Sequence, residues 1–146
     1  MKTAADILKS KSDQIVHSIA STASVFDAVK SMADKSIGAL LVMEGKRIVG
    51  IITERDYARK TILMGRASKE TPVSEIMTSE VMYVRPNQTS EECMALMTEN
   101  RVRHLLVIDK RRLLGLVSIG DLVKDIISQQ QFIIQQLEHY ITGERG

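Results

Sequence analysis

The chain has 146 residues, and 20 Lys and Arg against 18 Asp and Glu give a formal charge of +2. That balance supplies no basis for binding nucleic acid or an anionic membrane. Aromatic residues make up 3% with no Trp, which argues against a stacking surface for single-stranded nucleic acid. The single cysteine excludes an internal disulfide and a cysteine-rich metal site. An apolar fraction of 44% is typical of a globular domain.

The sequence predicts neither a membrane-spanning segment nor a secretory signal. No apolar run is long enough to span a membrane. The first eight residues include Asp6 and lack the apolar stretch of a secretory signal. We therefore expect no membrane partner and a cytoplasmic location, or an organelle if a transit peptide has been lost.

An internal repeat organises the chain. Val16–Lys60 aligns without a gap with Val81–Asp125 at an offset of 65, and eight of the 45 aligned positions are identical. Asp6–Leu8 and Glu75–Met77 also match, at an offset of 69, so about four extra residues of the first copy lie near Ser10–Gln14. The sequence is accordingly divided into a first repeat, 4–64, a linker, 65–71, a second repeat, 72–128, and a C-terminal extension, 129–146.

Each repeat predicts the order strand, helix, strand, strand, helix. The first helices begin after Ser24 and Thr89, because each hydroxyl precedes an acid by three residues, as in a capping box. Continuous apolar runs predict strands that are covered on both faces. The predicted strands are 15–19, 39–43 and 48–52 in the first repeat, and 81–84, 104–108 and 113–117 in the second.

The closing helices are predicted to begin near Glu54 and near Ile119. In the linker, Thr71 and Pro72 predict a helix cap followed by proline at the first helical position. The last helix should continue to about Ile141, because neither Gly nor Pro interrupts it. An apolar stripe runs along this helix through Leu122, Ile126, Ile133, Leu137, Tyr140 and Ile141.

A long helix with an apolar stripe and little domain left to cover needs a partner surface. Homodimerisation is our preferred explanation, and packing back on the chain's own domain is the alternative.

The most informative pattern places a hydroxyl, Thr53 or Ser118, where a buried strand turns into a helix, with an Asp three residues later. The first N–H groups of a helix lack partners and carry partial positive charge, which suits a phosphate. A carboxylate one turn along can accept hydrogen bonds from a ribose diol. The same spacing is also a capping box that needs no ligand, so both interpretations stay open.

On these motifs the chain resembles a tandem pair of CBS domains, the regulatory module named after cystathionine β-synthase, over about residues 4–128. The resemblance implies an α/β fold in which the two repeats pack about a pseudo-twofold axis and the pairs often dimerise. It also implies clefts between the repeats that bind AMP, ADP, ATP, NAD(H) or S-adenosylmethionine. Leu41 and Leu106 stand where many family members have proline.

By this resemblance, Asp56 and Asp121 would hold ribose hydroxyls, and Thr53 and Ser118 would face phosphate. Arg55 in the first repeat corresponds to Gly120 in the second, which predicts unequal occupancy or two different ligands. The other residues predicted to line the clefts are Ser18, Ile19, Ala20, Ile37, Gly38, Ala39 and Leu40 in the first repeat, and Tyr83, Val84, Arg85, Arg101, Val102, Arg103, His104 and Leu105 in the second.

We therefore expect a non-catalytic sensor that binds an adenine nucleotide and transmits its occupancy to a regulated protein. AMP or NAD(H) is favoured, because Arg55, Arg101 and Arg103 offer few cations for a triphosphate. No nucleophile with a base, phosphate-binding glycine loop or metal cluster is evident, and His104 lies apart from other ligand types. The alternatives are a nucleotide-independent assembly module and a nucleotide-processing enzyme.

Overall fold

A computed structural model describes residues 2–11 and 15–142. These residues form two compact units, one of residues 15–82 and one of residues 2–11 with 83–142. We call them the repeat-1 unit and the repeat-2 unit. Each contains one three-stranded sheet, which confirms the predicted α/β class. Residues 12–14, part of the expected insertion, and residues 143–146 of the predicted extension lie outside the described residues.

The secondary structure follows the predicted order in both repeats. The helices are α1 (Ala4–Ser10), α2 (Val25–Lys35), α3 (Glu54–Tyr57), α4 (Ser90–Asn100) and α5 (Ile119–Thr142), with a π-helical turn at Ala58–Ile62 and a 3-10 turn at Val73–Glu75. The strands are β1 (Ser18–Ala20), β2 (Ala39–Glu44), β3 (Arg47–Thr53), β4 (Tyr83–Val84), β5 (His104–Asp109) and β6 (Arg112–Ser118). None of the described helices is both long and apolar enough to cross a membrane.

The two sheets have the same topology. In each, a short first strand runs parallel to the middle strand, which pairs antiparallel with the third. The middle strand begins beside the end of the third, so Ala39 lies opposite Thr53 and His104 lies opposite Ser118. The start of the middle strand and the junction from the third strand to its helix therefore share one edge of the sheet.

The predicted first strands were placed too early. The structure has Ser18–Ala20 instead of 15–19, and Tyr83–Val84 instead of 81–84. The apolar residues begin earlier in the sequence than the strands do, because only these few residues pair with the middle strand.

Both predicted capping positions are confirmed. The Ser24 hydroxyl accepts a hydrogen bond from the N–H of Asp27 at 3.1 Å, and the Thr89 hydroxyl accepts one from Glu92 at 3.1 Å. The apolar side of each helix enters its core, with Met32 and Cys93 fully buried. The predicted linker cap was wrong. The Thr71 hydroxyl donates to the carbonyl of Ala67, and Pro72 is the extended residue preceding a single 3-10 turn.

The segment that precedes each repeat packs in the unit formed by the other repeat. Helix α1 packs in the repeat-2 unit, where the N–H of Ala4 donates to the carbonyl of Gln88 at 2.8 Å. The matching segment, which includes the 3-10 turn, packs in the repeat-1 unit, where Val73 donates to Ala23 at 2.8 Å.

A glycine in each sheet makes room for these segments. A Cβ at Gly50 would lie 2.8 Å from both the sulfur of Met77 and the carbonyl oxygen of Thr78. A Cβ at Gly115 would lie 2.7 Å from a methyl group of Leu8. Gly50 and Gly115, which begin the glycine–x–x–Thr/Ser–x–x–Asp motif of each repeat, are therefore required for packing.

Candidate functional site

At the repeat-1 junction, at the end of β3, both carboxylate oxygens of the acid already have donors. Asp56 is 7% exposed. Its Oδ2 accepts hydrogen bonds from the backbone N–H and the hydroxyl of Thr53, both at 3.1 Å. Its Oδ1 accepts from the Thr78 hydroxyl at 3.1 Å and pairs with Lys60 Nζ at 3.1 Å. A ribose could reach this carboxylate only by displacing protein donors.

The repeat-2 junction, at the end of β6, holds its acid more loosely. Oδ2 of Asp121 accepts from the N–H of Ser118 at 2.9 Å and pairs with Lys11 Nζ at 3.0 Å. The same ammonium group donates to the carbonyl of Leu116 at 2.8 Å. In the described part of the chain, Oδ1 of Asp121 has no donor, and the Asp121 side chain is 21% exposed.

The first turn of each junction helix uses most of its N–H groups internally. Glu54 donates to the carbonyl of Gly38 at 3.1 Å, and Ile119 donates to that of Arg103 at 2.9 Å. The Ser118 hydroxyl accepts from the N–H of Asp121 at 3.2 Å. Within the described residues, the N–H between them, that of Gly120, has no partner, and Gly120 is exposed. One backbone donor at the start of α5 therefore remains available to an anion.

His104 gives the repeat-2 junction a titratable group. It lies opposite Ser118 in the sheet, where the repeat-1 unit has the buried Ala39. Burial lowers the pKa of His104, the nearby Asp121 carboxylate opposes this effect, and Lys11 and Arg103 reinforce it. We therefore expect a neutral imidazole at this junction near neutral pH.

The structure brings only some of the predicted cleft residues to the two junctions. Gly38 and Ala39 lie beside Thr53 and Asp56, and Arg103 and His104 lie beside Ser118, Gly120 and Asp121. Other predicted residues lie elsewhere. Leu40, Val84 and Leu105 are fully buried. Ile19 lies opposite Val42, and Ala20 lies opposite Met43 near the far end of β2. Tyr83 lies opposite Leu106, and the N–H of Arg85 donates to Gln88 beyond β4.

The remaining predicted residues flank these positions. Ile37 and Val102 are half-buried and donate to the last turns of α2 and α4. Arg101 ends α4 in a left-handed conformation with φ of 54°. Ser18 lies opposite Leu41, two residues along β2 from the junction. Arg55 is half-buried in the first turn of α3.

An open groove of about 600 Å³ lies along the start of α5. Two predicted residues, Arg103 and Gly120, line it. Its other lining residues were not predicted: Ile119, Val123, Lys124, Ile127 and Ser128. The floor is apolar and the two charged lining residues are cations.

Comparison with known proteins decides the family. Residues 4–61 and 73–128 match the family model described as "CBS domain". The chain belongs to the CBS-domain family. CBS-domain proteins are in general regulatory, signal-transduction modules.

Relatives span nearly the whole chain. CBSX3, a mitochondrial CBS domain-containing protein of Arabidopsis thaliana, is 42% identical over 97% of this chain and 72% of its own length. A solved signal-transduction protein with CBS domains from Burkholderia ambifaria is 56% identical, with a TM-score of 0.86 over 88% of this chain and 96% of that one. A hexameric CBS-CP12 protein from bloom-forming cyanobacteria is 32% identical, with a TM-score of 0.74 over 84% of this chain and 70% of that one.

Three side chains that hold Asp56 and Asp121 in place were not predicted from the sequence. Thr78 and Lys60 act in the repeat-1 unit, and Lys11 acts in the repeat-2 unit. One signal was available. The position of Lys60 corresponds to Asp125 in the second CBS repeat, so the charge one turn beyond the acid is reversed. A second repeat without that lysine needs its cation from another segment.

Proposed function

We propose that the chain is a non-catalytic regulatory module that binds an adenosine-containing nucleotide at its strand-to-helix junctions. AMP or NAD(H) is the favoured ligand, and ADP, ATP and S-adenosylmethionine are the other candidates. The observation that carries this proposal is the repeat-2 junction. There, among the described residues, the N–H of Gly120 and Oδ1 of Asp121 both lack a partner at the same helix start. The first can donate to phosphate and the second can accept from ribose.

The two junctions are proposed to differ in occupancy. Asp56 already accepts hydrogen bonds or ion pairs at both carboxylate oxygens, so nucleotide binding there requires Thr78 or Lys60 to move. Asp121 keeps one oxygen without a donor in the described residues. We therefore assign the tighter site to the repeat-2 junction and the weaker one to the repeat-1 junction.

A nucleotide-independent assembly module is the second candidate, and one specific observation favours it. Thr3 and Asp6 form a capping box whose distances, 3.0 and 3.1 Å, nearly equal the 3.1 Å of Thr53 and Asp56. The geometry of a hydroxyl and an acid therefore arises in this chain where no ligand was predicted.

Self-association is also part of the proposal. Hexameric relatives share the fold at 32% identity, and α5 exposes apolar side chains along its length. A regulatory module that assembles can transmit ligand occupancy through the assembly. We propose that the assembly is a homodimer.

Calorimetry on the full chain tests nucleotide binding, with AMP, ADP, ATP, NAD+, NADH and S-adenosylmethionine as titrants. We expect the Asp121→Asn variant to bind about 10- to 100-fold more weakly, because it loses a charge-assisted hydrogen bond while its amide oxygen can still cap the helix. Asp56→Asn should affect only the weaker binding phase. Product analysis after long incubation checks for nucleotide turnover, which we do not expect.

Asp6→Asn is the matched control, since it alters an acid with nearly the same capping geometry in the same unit. It should bind nucleotide as the wild type does. Equal binding by wild type and Asp121→Asn would remove the assigned site. Failure of every nucleotide to bind, or to shift the melting temperature, would leave the assembly module as the function.

A further inference from the structure

The outer face of α5 is apolar well beyond the domain against which the helix begins to pack. Leu122 and Asp125 are buried near its start. Farther along, the large apolar side chains are more than half exposed: Phe132, Ile133, Ile134, Leu137, Tyr140 and Ile141. Monomeric proteins rarely expose a contiguous apolar surface of this extent.

The exposed residues repeat every seven positions. Ile127, Ile134 and Ile141 form one row, and Val123, Gln130 and Leu137 form the row beside it. Together they make the a and d stripe of a two-stranded coiled coil, with one polar layer. The flanks differ: one carries Lys124, Gln131 and Glu138, and the other carries Ile126, Ile133 and Tyr140.

The two ends of this stripe are complementary to each other. The N-terminal end lines the open groove, to which Val123 and Ile127 contribute apolar side chains and Arg103 and Lys124 contribute cations. The C-terminal end presents Leu137 and Ile141 beside an acid, Glu138. The segment from 126 to 137 contains no Asp, Glu, Lys or Arg. An apolar groove with a cationic rim therefore matches an apolar helix end with an anionic side chain.

We propose that the groove and the outer face of α5 bind α5 of a second copy of this chain in antiparallel orientation. This inference rests on the proposed self-association and specifies its interface. Ile127 then packs against the partner's Leu137, Val123 packs against the partner's Ile141, and Lys124 pairs with the partner's Glu138. A parallel pair would instead bring the cationic rims to the same end.

In the antiparallel contact each Gln130 lies opposite the partner's Ile134, beside the centre of the contact. Its twofold axis passes near residue 132, so Gln130 and the partner's Gln130 are four residues apart along the axis, about 6 Å at 1.5 Å per residue. Two side-chain amides can bridge that separation by bonding to each other. The contact runs from Val123 to Ile141, about 27 Å of helix, and covers the same stripe on both copies.

Light scattering and sedimentation of the full chain test the interface. Ile134→Glu and Leu137→Glu place a charge in the stripe and should weaken dimerisation at least tenfold. Gln135→Glu and Gln136→Glu add the same charge on the opposite side of the helix and should dimerise like the wild type. Circular dichroism melting of each variant separates a lost interface from a lost fold.

Charge reversal and cysteine cross-linking test the orientation. Lys124→Glu and Glu138→Lys should each weaken the dimer, and the double variant should restore it. Ile133→Cys should cross-link faster than Ile134→Cys, because only the antiparallel pair brings the two copies of residue 133 together near the axis. The native Cys93 is buried, which keeps the background low.

Unchanged dimerisation of folded Ile134→Glu and Leu137→Glu would overturn the proposed interface while leaving self-association intact. Faster cross-linking of Ile134→Cys would overturn the antiparallel orientation. A wild type that stays monomeric would overturn both this interface and the proposed self-association. Gly120 and Arg103 line the groove, so nucleotide titrations on the folded, monomeric Ile134→Glu and Leu137→Glu variants report on the proposed binding function in the absence of the partner helix.

Discussion

The two junctions have the same residue spacing but fix their acids by different means. In the repeat-1 unit, Thr78 donates its backbone N–H to the carbonyl of Ile51 at 2.8 Å and its hydroxyl to Asp56 at 3.1 Å. In the repeat-2 unit, the ammonium group of Lys11 makes the corresponding contacts, to Leu116 at 2.8 Å and to Asp121 at 3.0 Å. The contacts that Thr78 makes with its backbone and its short side chain in the repeat-1 unit are thus made in the repeat-2 unit by the long side chain of Lys11.

Charge reversal at one aligned position accompanies this difference. Lys60 pairs with Asp56 within its own helical segment, whereas the aligned residue in the second repeat is Asp125. Asp125 is buried and pairs with Lys2 at 2.9 Å. Lysines on both sides of α1 therefore pair with acids of α5.

Duplication of a motif therefore need not duplicate its accessibility to a ligand. Thr78 and Lys60 leave no oxygen of Asp56 vacant, whereas Lys11 pairs only with Oδ2 of Asp121 and leaves Oδ1 without a donor in the described residues. This is the physical basis for expecting unequal nucleotide binding by the two repeats.

The largest effect is expected from adding a methyl group to the motif glycines. Gly50→Ala should destabilise the protein by about 3 kcal/mol, because the new Cβ meets a backbone oxygen that cannot move alone. Gly115→Ala should destabilise it by about 1 kcal/mol, because the end of Leu8 can turn away. Urea unfolding measures both. A larger loss for Gly115→Ala would contradict the rigid and flexible packing assigned to the two units.

Gly120→Ala is the control for these two substitutions. A Cβ there would meet nothing closer than the Ser118 hydroxyl at 3.6 Å. The cost should therefore be limited to small changes in backbone freedom. Its effect on nucleotide affinity can then be interpreted without a correction for folding.

A smaller effect is expected from the lysines that pair with the junction acids. Lys11→Met removes the contacts to both Asp121 and Leu116, and should lower the free energy of unfolding by about 1–2 kcal/mol. Lys60→Met leaves Asp56 bonded to Thr78, so the loss should be less than about 1 kcal/mol. Equal losses in thermal or urea unfolding would contradict the difference between the two units.

The sequence predicted the parts of the fold that depend on local pattern and on duplication. The helix caps at Ser24 and Thr89, the apolar hairpins and the long C-terminal helix all follow from spacing rules that act over a few residues. The starts of β1 and β4 could not be predicted, because pairing with the middle strand decides where a strand begins.

The candidate site was predictable in composition but not in its contacts. The hydroxyl and acid of each junction were predicted from their spacing, and His104 from the family resemblance. Lys11 was not predicted, because its segment aligns with the second repeat only at a different offset. Its side chain reaches Asp121 only through the tertiary fold. The groove was also missed, since it combines residues of α5 with the distant Arg103.

The smallest predicted effect concerns pH and distinguishes the units through His104, which has no titratable counterpart at Ala39. Burial lowers the folded-state pKa of His104 below the unfolded value of about 6.5. As the pH falls below that value, the unfolded chain binds a proton that the folded chain does not, so stability decreases. Replacement by a neutral residue removes this contribution.

His104→Gln should therefore lose less stability than the wild type between pH 7.5 and pH 5.5, as measured by thermal unfolding at each pH. Asp121, Lys11 and Arg103 face the imidazole, and the Asp121 carboxylate opposes the shift. Asp121→Asn should accordingly steepen the pH dependence while His104 is present and leave it unaltered in the double variant. Parallel pH curves for wild type and His104→Gln would show that the junction histidine titrates alike in the folded and unfolded chains.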